Sequence, residues 1–470
     1  INVNAQTDCG AYAFIITVAA GIVGAGACVA YVQNALDVNT YAGVKNGTTV
    51  TGTNADSGCL TAKDIYVTAV GTGTSKVNGY AVAGGLVGAN GIVALSFNAV
   101  KSVSAIRGIG VNSTGTAKVS SKIDGNAFVD ALSVAGGLVG AGAVVAITKI
   151  TAVCRSIVDA ASANMKFGAL TIGDSAQTAS TAQSNAITAT AGGVAFSLNL
   201  IFATNRSDYS SELNGNANGS LTANTVNIQM NGTAYAHVRI INANVGAASV
   251  AVNVGVANLK AIQAAKVDST ADMTIGTLKV ESNQNVRPAG NVWSLNASDL
   301  KLSGSGVYNL RVDEMAEVAI YTISCGLMSV GAGVASALAN ASCIADVSAS
   351  NLKITGNGLT VSATAHSNAL AHVCDLAIPM VSLGNVSVIS TFAEAIGTVR
   401  SRVYGYSGDG INVQKGGLTI QTVYSADANS DIQPSMGGIG LLSLRVNLAT
   451  ARVRTKAEAG ISGEGIIKVK

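Results

Sequence analysis

Residues 359–374 read LTVSATAHSNALAHVC, and every second position belongs to one class. Leu359, Val361, Ala363, Ala365, Ser367, Ala369, Ala371 and Val373 are small or apolar, whereas Thr360, Ser362, Thr364, His366 and Asn368 are polar. Period two means extended strand, because successive side chains of a strand point to opposite faces. The pattern returns near the end, where Leu442, Leu444, Val446 and Leu448 alternate with Ser443, Arg445 and Asn447. The phase then shifts, and Ala451 and Val453 alternate with Arg452, Arg454 and Lys456, which reads as a bend or bulge.

Working outward from these strands, one texture recurs. GAYAFIITVAAGIVGAGACVAYV at 10–32, YAVAGGLVGANGIVALSFNAV at 80–100 and ALSVAGGLVGAGAVVAI at 131–147 are free of charge and centred on glycine. The first is long enough to cross a bilayer as a helix. The period of two, the absence of a leucine-rich 3.6-residue period and the recurrence itself count against a polytopic helical protein. Glycine landmarks at Gly21, Gly84-Gly85, Gly136-Gly137, Gly192-Gly193, Gly246, Gly331–Gly333, Gly384 and Gly437-Gly438 are mostly about 52–56 residues apart. Leucine-led strands precede many of them, at Leu60, Leu170, Leu221, Leu278, Leu359 and Leu418.

Composition agrees with a repeat architecture. The 470 residues include 54 Gly and 76 Ala, with 4% aromatic, 11% charged and only three Pro residues. Collagen is excluded because the glycines lack a period of three, and bulk disorder because 49% of residues are hydrophobic. The expected fold is all-β: a single continuous β-solenoid over residues 1–470, of about eight degenerate units of roughly 55 residues. Unbroken alternation on both sides of the glycine favours wide, flattened coils of two long strands and a short one, with an interior of Ala, Gly, Val and Ser. Beside the glycine both faces turn apolar, so that wall needs cover from the same chain, another subunit or lipid.

The LxV-type strands, the small-residue alternation and the recurrent GGLVGA text resemble the large filamentous haemagglutinin-like and leukotoxin-like repeat adhesins of bacterial surfaces. The likeness is one of texture over the whole chain. It implies an extracellular or cell-surface fibre, with a host or glycan receptor as partner.

Chemical motifs are sparse. A net charge of +3 argues against a nucleic-acid partner. The seven Cys contain no CxxC, and His366, His372 and Cys374 share strand parity but are too spread to hold one metal. The GxG pieces recur at the repeat period, unlike a nucleotide loop, which occurs once ahead of a helix. The expectation is a non-enzymatic protein without catalytic residues, metal or cofactor. Arg107, Arg155, Arg206, Arg400, Arg402, Arg452 and Arg454 follow their glycines at similar distances and are expected along one solvated edge.

The expected function is a structural subunit that pairs with copies of itself, head to tail and laterally, into a surface filament. Ile1, Val3, Ile466, Ile467 and Val469, in strand-like text at the two ends, are the expected end-to-end contacts. The alternative is an adhesin stalk within a longer chain, and Ile1 in place of a start Met reads as a processed protein or a piece of one. A polytopic membrane protein or a polysaccharide-acting solenoid enzyme ranks third. Aligning Leu310 with Leu359 places Cys325 and Cys374 on neighbouring strands as a stacked pair.

Overall fold

The computed structural model describes residues 1–43, 59–161, 163–176, 178–284, 293–296, 307–310, 316–377, 382–434 and 440–470. The chain is all-β, and among the described residues there is no helix. In chain order the strands are β1 (Asn2–Ala20), β2 (Val23–Gly43), β3 (Cys59–Ala62), β4 (Ile65–Gly84), β5 (Val87–Arg107), β6 (Gly110–Gly136), β7 (Val139–Asp159), β8 (Asn164–Ile172), β9 (Thr178–Gly215), β10 (Ser220–Ser269), β11 (Asp272–Gln284), β12 (Trp293–Asn296), β13 (Val307–Leu310), β14 (Ala316–Cys325), β15 (Met328–Ala377), β16 (Ser382–Val413), β17 (Leu418–Pro434), β18 (Gly440–Gly463) and β19 (Ile467–Val469).

Seventeen of these strands form one sheet whose pairings are parallel, and β12 and β13 form a separate antiparallel pair. Partners lie far apart in sequence: 64 residues from Ala13 to Val77, 52 from Val77 to Val129, 54 from Ala182 to Ala236 and 80 from Ile240 to Ile320. Three ladders result. A first arm runs through β1, β4, β6, β8 with β9, β10, β11 with β14, β15 and β17. A second arm runs through β2, β5, β7 and the later or earlier halves of β9, β10, β15 and β16 to β18. A short third segment runs from β3 through β6, β8, β10, β11, β15 and β16 to β19. The second arm therefore has eight levels, numbered here from β2 to β18.

Register holds residues in columns. Ile15, Gly79, Ala131, Ala186, Ile240, Ile320 and Val373 follow one another across the first arm. The inward positions bury small side chains such as Ala127, Ala182, Ala236 and Ala337 between the two arms. Larger residues, among them Met165, Phe167, Leu170 and Leu221, gather where the third segment widens the interior. Small residues allow close approach, and dense contact over many levels replaces the bulk of a Leu- and Phe-rich core.

Two expectations about register are corrected. The leucine-led strands are not one position: Leu60 and Leu221 share a column with Met273 and Leu352, whereas Leu278, Leu359 and Leu418 share another with Val226. Leu310 is not the start of a long strand, since it pairs with Trp293 in the antiparallel pair. The bend expected in the last strand is also absent. β18 pairs with β16 without a break from Leu442 to Gly463. What shifts there is polarity, and the register with β16 stays unbroken.

Candidate functional site: an apolar outer face

On the early levels the two arms meet at the glycine landmark, whereas the landmarks expected at Gly331–Gly333 and Gly384 lie within the second arm and Gly326 takes the corner place instead. The reason is steric. A Cβ on Gly85 would stand 1.8 Å from the carbonyl oxygen of Gly21, and one on Gly137 would stand 2.2 Å from that of Gly85. The same clash repeats for Gly192, Gly246 and Gly326 against the level before. The corner is thus a column of glycines in backbone contact. Its peptide groups are satisfied between levels, for example Gly85 N donating to Gly136 O and Val87 N to Ile22 O, at 3.3 and 3.0 Å.

Beside this corner the usual polarity of a strand is inverted. Inward side chains are small or polar. Ser133 Oγ donates to Asn90 Oδ1 at 2.5 Å, Asn199 Nδ2 to Asn253 Oδ1 at 2.8 Å, and Asn253 Nδ2 to Thr322 Oγ1 at 2.9 Å. Asn242 and Asn244 donate to Ser197 Oγ at 2.7 and 2.9 Å within the same buried network. Outward side chains are apolar instead. At the corner, Ile22, Leu86, Leu138, Leu327 and Leu383 are each more than half exposed.

The second arm carries this outer face furthest. Five outward columns start at Val23, Ala25, Ala27, Val29 and Tyr31, and none of their residues is charged on any of the eight levels. Val, Leu, Ala and Phe fill most of them, with Ser336, Ser390 and Thr450 among the exceptions. Tyr31, Phe202 and Phe392 stand in the fifth column and Phe97 in the sixth, where its neighbour on the next level is Lys149. Arg206, Lys260 and Lys101 lie one or two columns further, so four consecutive levels carry a basic residue. The first arm is apolar for a shorter stretch, through Ile16 and Val18 on the first level and Tyr80 and Val82 on the second. Asn78 ends it on that second level, and Asp130 and Arg239 end it on later ones.

The arginines expected along one edge are distributed over several columns of the distal second arm, where acids on neighbouring levels meet them. Arg155 contacts Asp208 at 3.0 Å, Arg107 contacts Asp159 at 3.5 Å, and Arg454 contacts Glu394 at 3.2 Å. Asp346 receives both Arg400 and Arg402. Most of these pairs are partly exposed and contribute little individually.

The histidines lie on the outer face of the first arm. His237 Nδ1 is 3.2 Å from Glu317 Oε2, and His372 Nδ1 is 3.2 Å from Asp431 Oδ2. His372 is buried, together with Leu370, Cys374, Ala319 and Tyr321 on the same face. That patch was not expected from the sequence, since these are outward positions of alternating strands. Burial lowers the His372 pKa, and Asp431 opposes the shift. Burial likewise raises the phenol of Tyr321. Among the described residues no three His, Cys, Asp or Glu side chains converge as a metal site.

The stacked cysteine pair is corrected. Cys374 lies opposite Tyr321, four residues before Cys325, so the two cysteines are about 13 Å apart along the strand. Their sequence offset is four residues short of the local repeat. Cys9, Cys28, Cys59, Cys154 and Cys343 are free thiols. Burial pushes Cys154 up to about 12 and Cys343 up to about 11.

The end residues sit on or beside β1 and β19, which among the described residues pair along one side only. Ile1 is about half exposed, its ammonium donates to Asp64 O at 2.8 Å, and its carbonyl accepts from Tyr66 N at 2.9 Å. Val3 stacks on Val67, and Ile467 and Val469 stack on Ile411 and Val413. Ile466 O accepts from Ile411 N, and the Ile466 side chain is exposed. No family model, curated protein or solved structure matches this chain.

Proposed function

We propose that the chain is a β-solenoid of about eight wide, flattened units and serves as a non-enzymatic structural fibre subunit that associates with copies of itself. The observation that carries this reading is the state of the outermost strands. Among the described residues β1, β2 and β3 pair on one side only, and so do β17, β18 and β19. Unpaired strand edges recruit further strands. The two ends are also matched in column: Ile467 belongs to the column that begins at Leu60, and Ile432 to the one that begins at Ile15. A second copy stacked head to tail would extend all three ladders, with Ile1 and Val3 of one copy facing the end that carries Ile466, Ile467 and Val469 of the other.

Such a contact is heterologous and does not close, so it grows into a filament. The extracellular or cell-surface placement, and a host or glycan receptor, rest on the resemblance to filamentous adhesins. Negative-stain images of the purified chain test the reading. Filaments many molecules long are expected. Isolated rods at all concentrations would overturn self-assembly and assign the chain to an adhesin stalk.

A further inference from the structure

Among the described residues nothing covers the outer face of the second arm, and its dimensions state what could cover it. Ten residues from the corner at about 3.3 Å each, over eight strands at about 4.8 Å, give roughly 1,200 Å² of uncharged surface. The largest apolar patch of an ordinary monomer is about 300–600 Å². A stable interface needs about 800 Å² from each partner, so this face alone suffices. Lipid also suits an uncharged face with aromatic margins, but the unpaired backbone groups of β2 and β18 would then lie in hydrocarbon, where open sheet edges are not tolerated.

We infer that a second copy of this chain covers that face, related by a two-fold axis parallel to the stacking direction. The basic residues set the orientation. Lys101, Lys149, Arg206 and Lys260 lie one to three columns beyond the apolar columns on four consecutive levels, with Asp208 and Asp37 (3.1 Å from Lys101) beside them, so this margin stays net positive. A two-fold axis along the strands would lay margin on margin. An axis along the stack runs the two sets of strands antiparallel and puts each margin beyond the partner's corner, in water. Each level then faces its own copy, and the middle column, with Ala143 and Leu198, lies on the axis. The first column, with Val139, faces the fifth, with Ile147.

The inference rests on the self-association reading but concerns a different surface, and its tests separate the two. Wild-type particles are expected at double width in negative stain. Val145→Lys with Leu200→Lys, two outward neighbours in the fourth column, should reduce the paired fraction at least tenfold with an unchanged far-UV circular dichroism spectrum. In a background with the exposed Cys59 replaced by Ser, Ala143→Cys should cross-link to itself through a short bismaleimide. Val139→Cys and Ile147→Cys should link to each other in a mixture and not to themselves. Filaments of single width, or double-width particles without the Ala143→Cys link, would overturn this pairing and leave the fibre reading standing. Paired rods that never lengthen would do the reverse. Single-width particles that float with phosphatidylcholine vesicles would overturn it in favour of lipid.

Discussion

At the scale of single residues, the buried amides near the corner are the most exacting feature. Asn253 Oδ1 accepts from both Asn199 and Asn242, at 2.8 and 2.9 Å, with all three side chains buried. Truncating Asn253 to Ala strands two donors, and each unsatisfied buried group costs about 1–3 kcal/mol. Asn253→Ala should therefore lose about 2–5 kcal/mol in denaturant unfolding, more than its small volume change explains. His372 gives a pH signature. Its pKa is lowered from 6.5 by burial, so the folded state binds fewer protons than the unfolded state around that pH. Stability is then fully present above about pH 6.5 and falls as the pH drops below it. Unfolding at pH 7.5 and 5.5 should show a larger loss for the wild type than for His372→Asn, which has no group to charge. An equal loss in both proteins would remove His372 as the cause.

The glycine corner, as an element, separates positions that composition treats alike. Gly137 has φ +156°, and a Cβ there would stand 2.2 Å from Gly85 O, while a Cβ on Gly84 meets nothing within 4 Å. Gly137→Ala should destabilise by about 1–3 kcal/mol or more, because backbone cannot yield as a side-chain tip does. Gly84→Ala should stabilise by about 0.4–1 kcal/mol by restricting the unfolded chain. Thermal melts of the two variants should move in opposite directions. The element scale is also where sequence reading succeeded and failed for identifiable reasons. Alternation at 359–374 gave the strands, and the glycine spacing of 52–56 matches the pairing of Val77 with Val129 and Ala182 with Ala236. Alternation alone did not reveal which face is inward. Near the corner Leu444 and Val446 point outward while Ser443 and Asn447 occupy inward columns, the opposite of the usual assumption. The leucine-led strands misled because Leu221 and Val226, five residues apart, belong to different columns. Only the pairing with Met165 and Leu170 tells them apart.

For the whole molecule, contacts run chiefly between neighbouring levels, so stability should behave as a sum over levels and their interfaces. This makes a deletion experiment decisive for the solenoid reading. Removing residues 85–136 joins Gly84 to Gly137, and the 52-residue register between β4 and β6 puts Gly84 where Gly136 stood. β4 then takes the place of β6 beside β9, and β7 takes the place of β5 beside β2. The 52-residue-shorter chain should keep a strand-type far-UV spectrum and a single cooperative melt. Removing residues 85–137 instead takes one residue more and deletes the corner glycine. The arms on either side are locked in register, so the missing residue cannot be absorbed by sliding, which would turn every side chain to the other face. That variant should melt well below the first or fail to fold. Similar behaviour of the two deletions would mean that the levels are not interchangeable turns, and the solenoid reading would fall with that result.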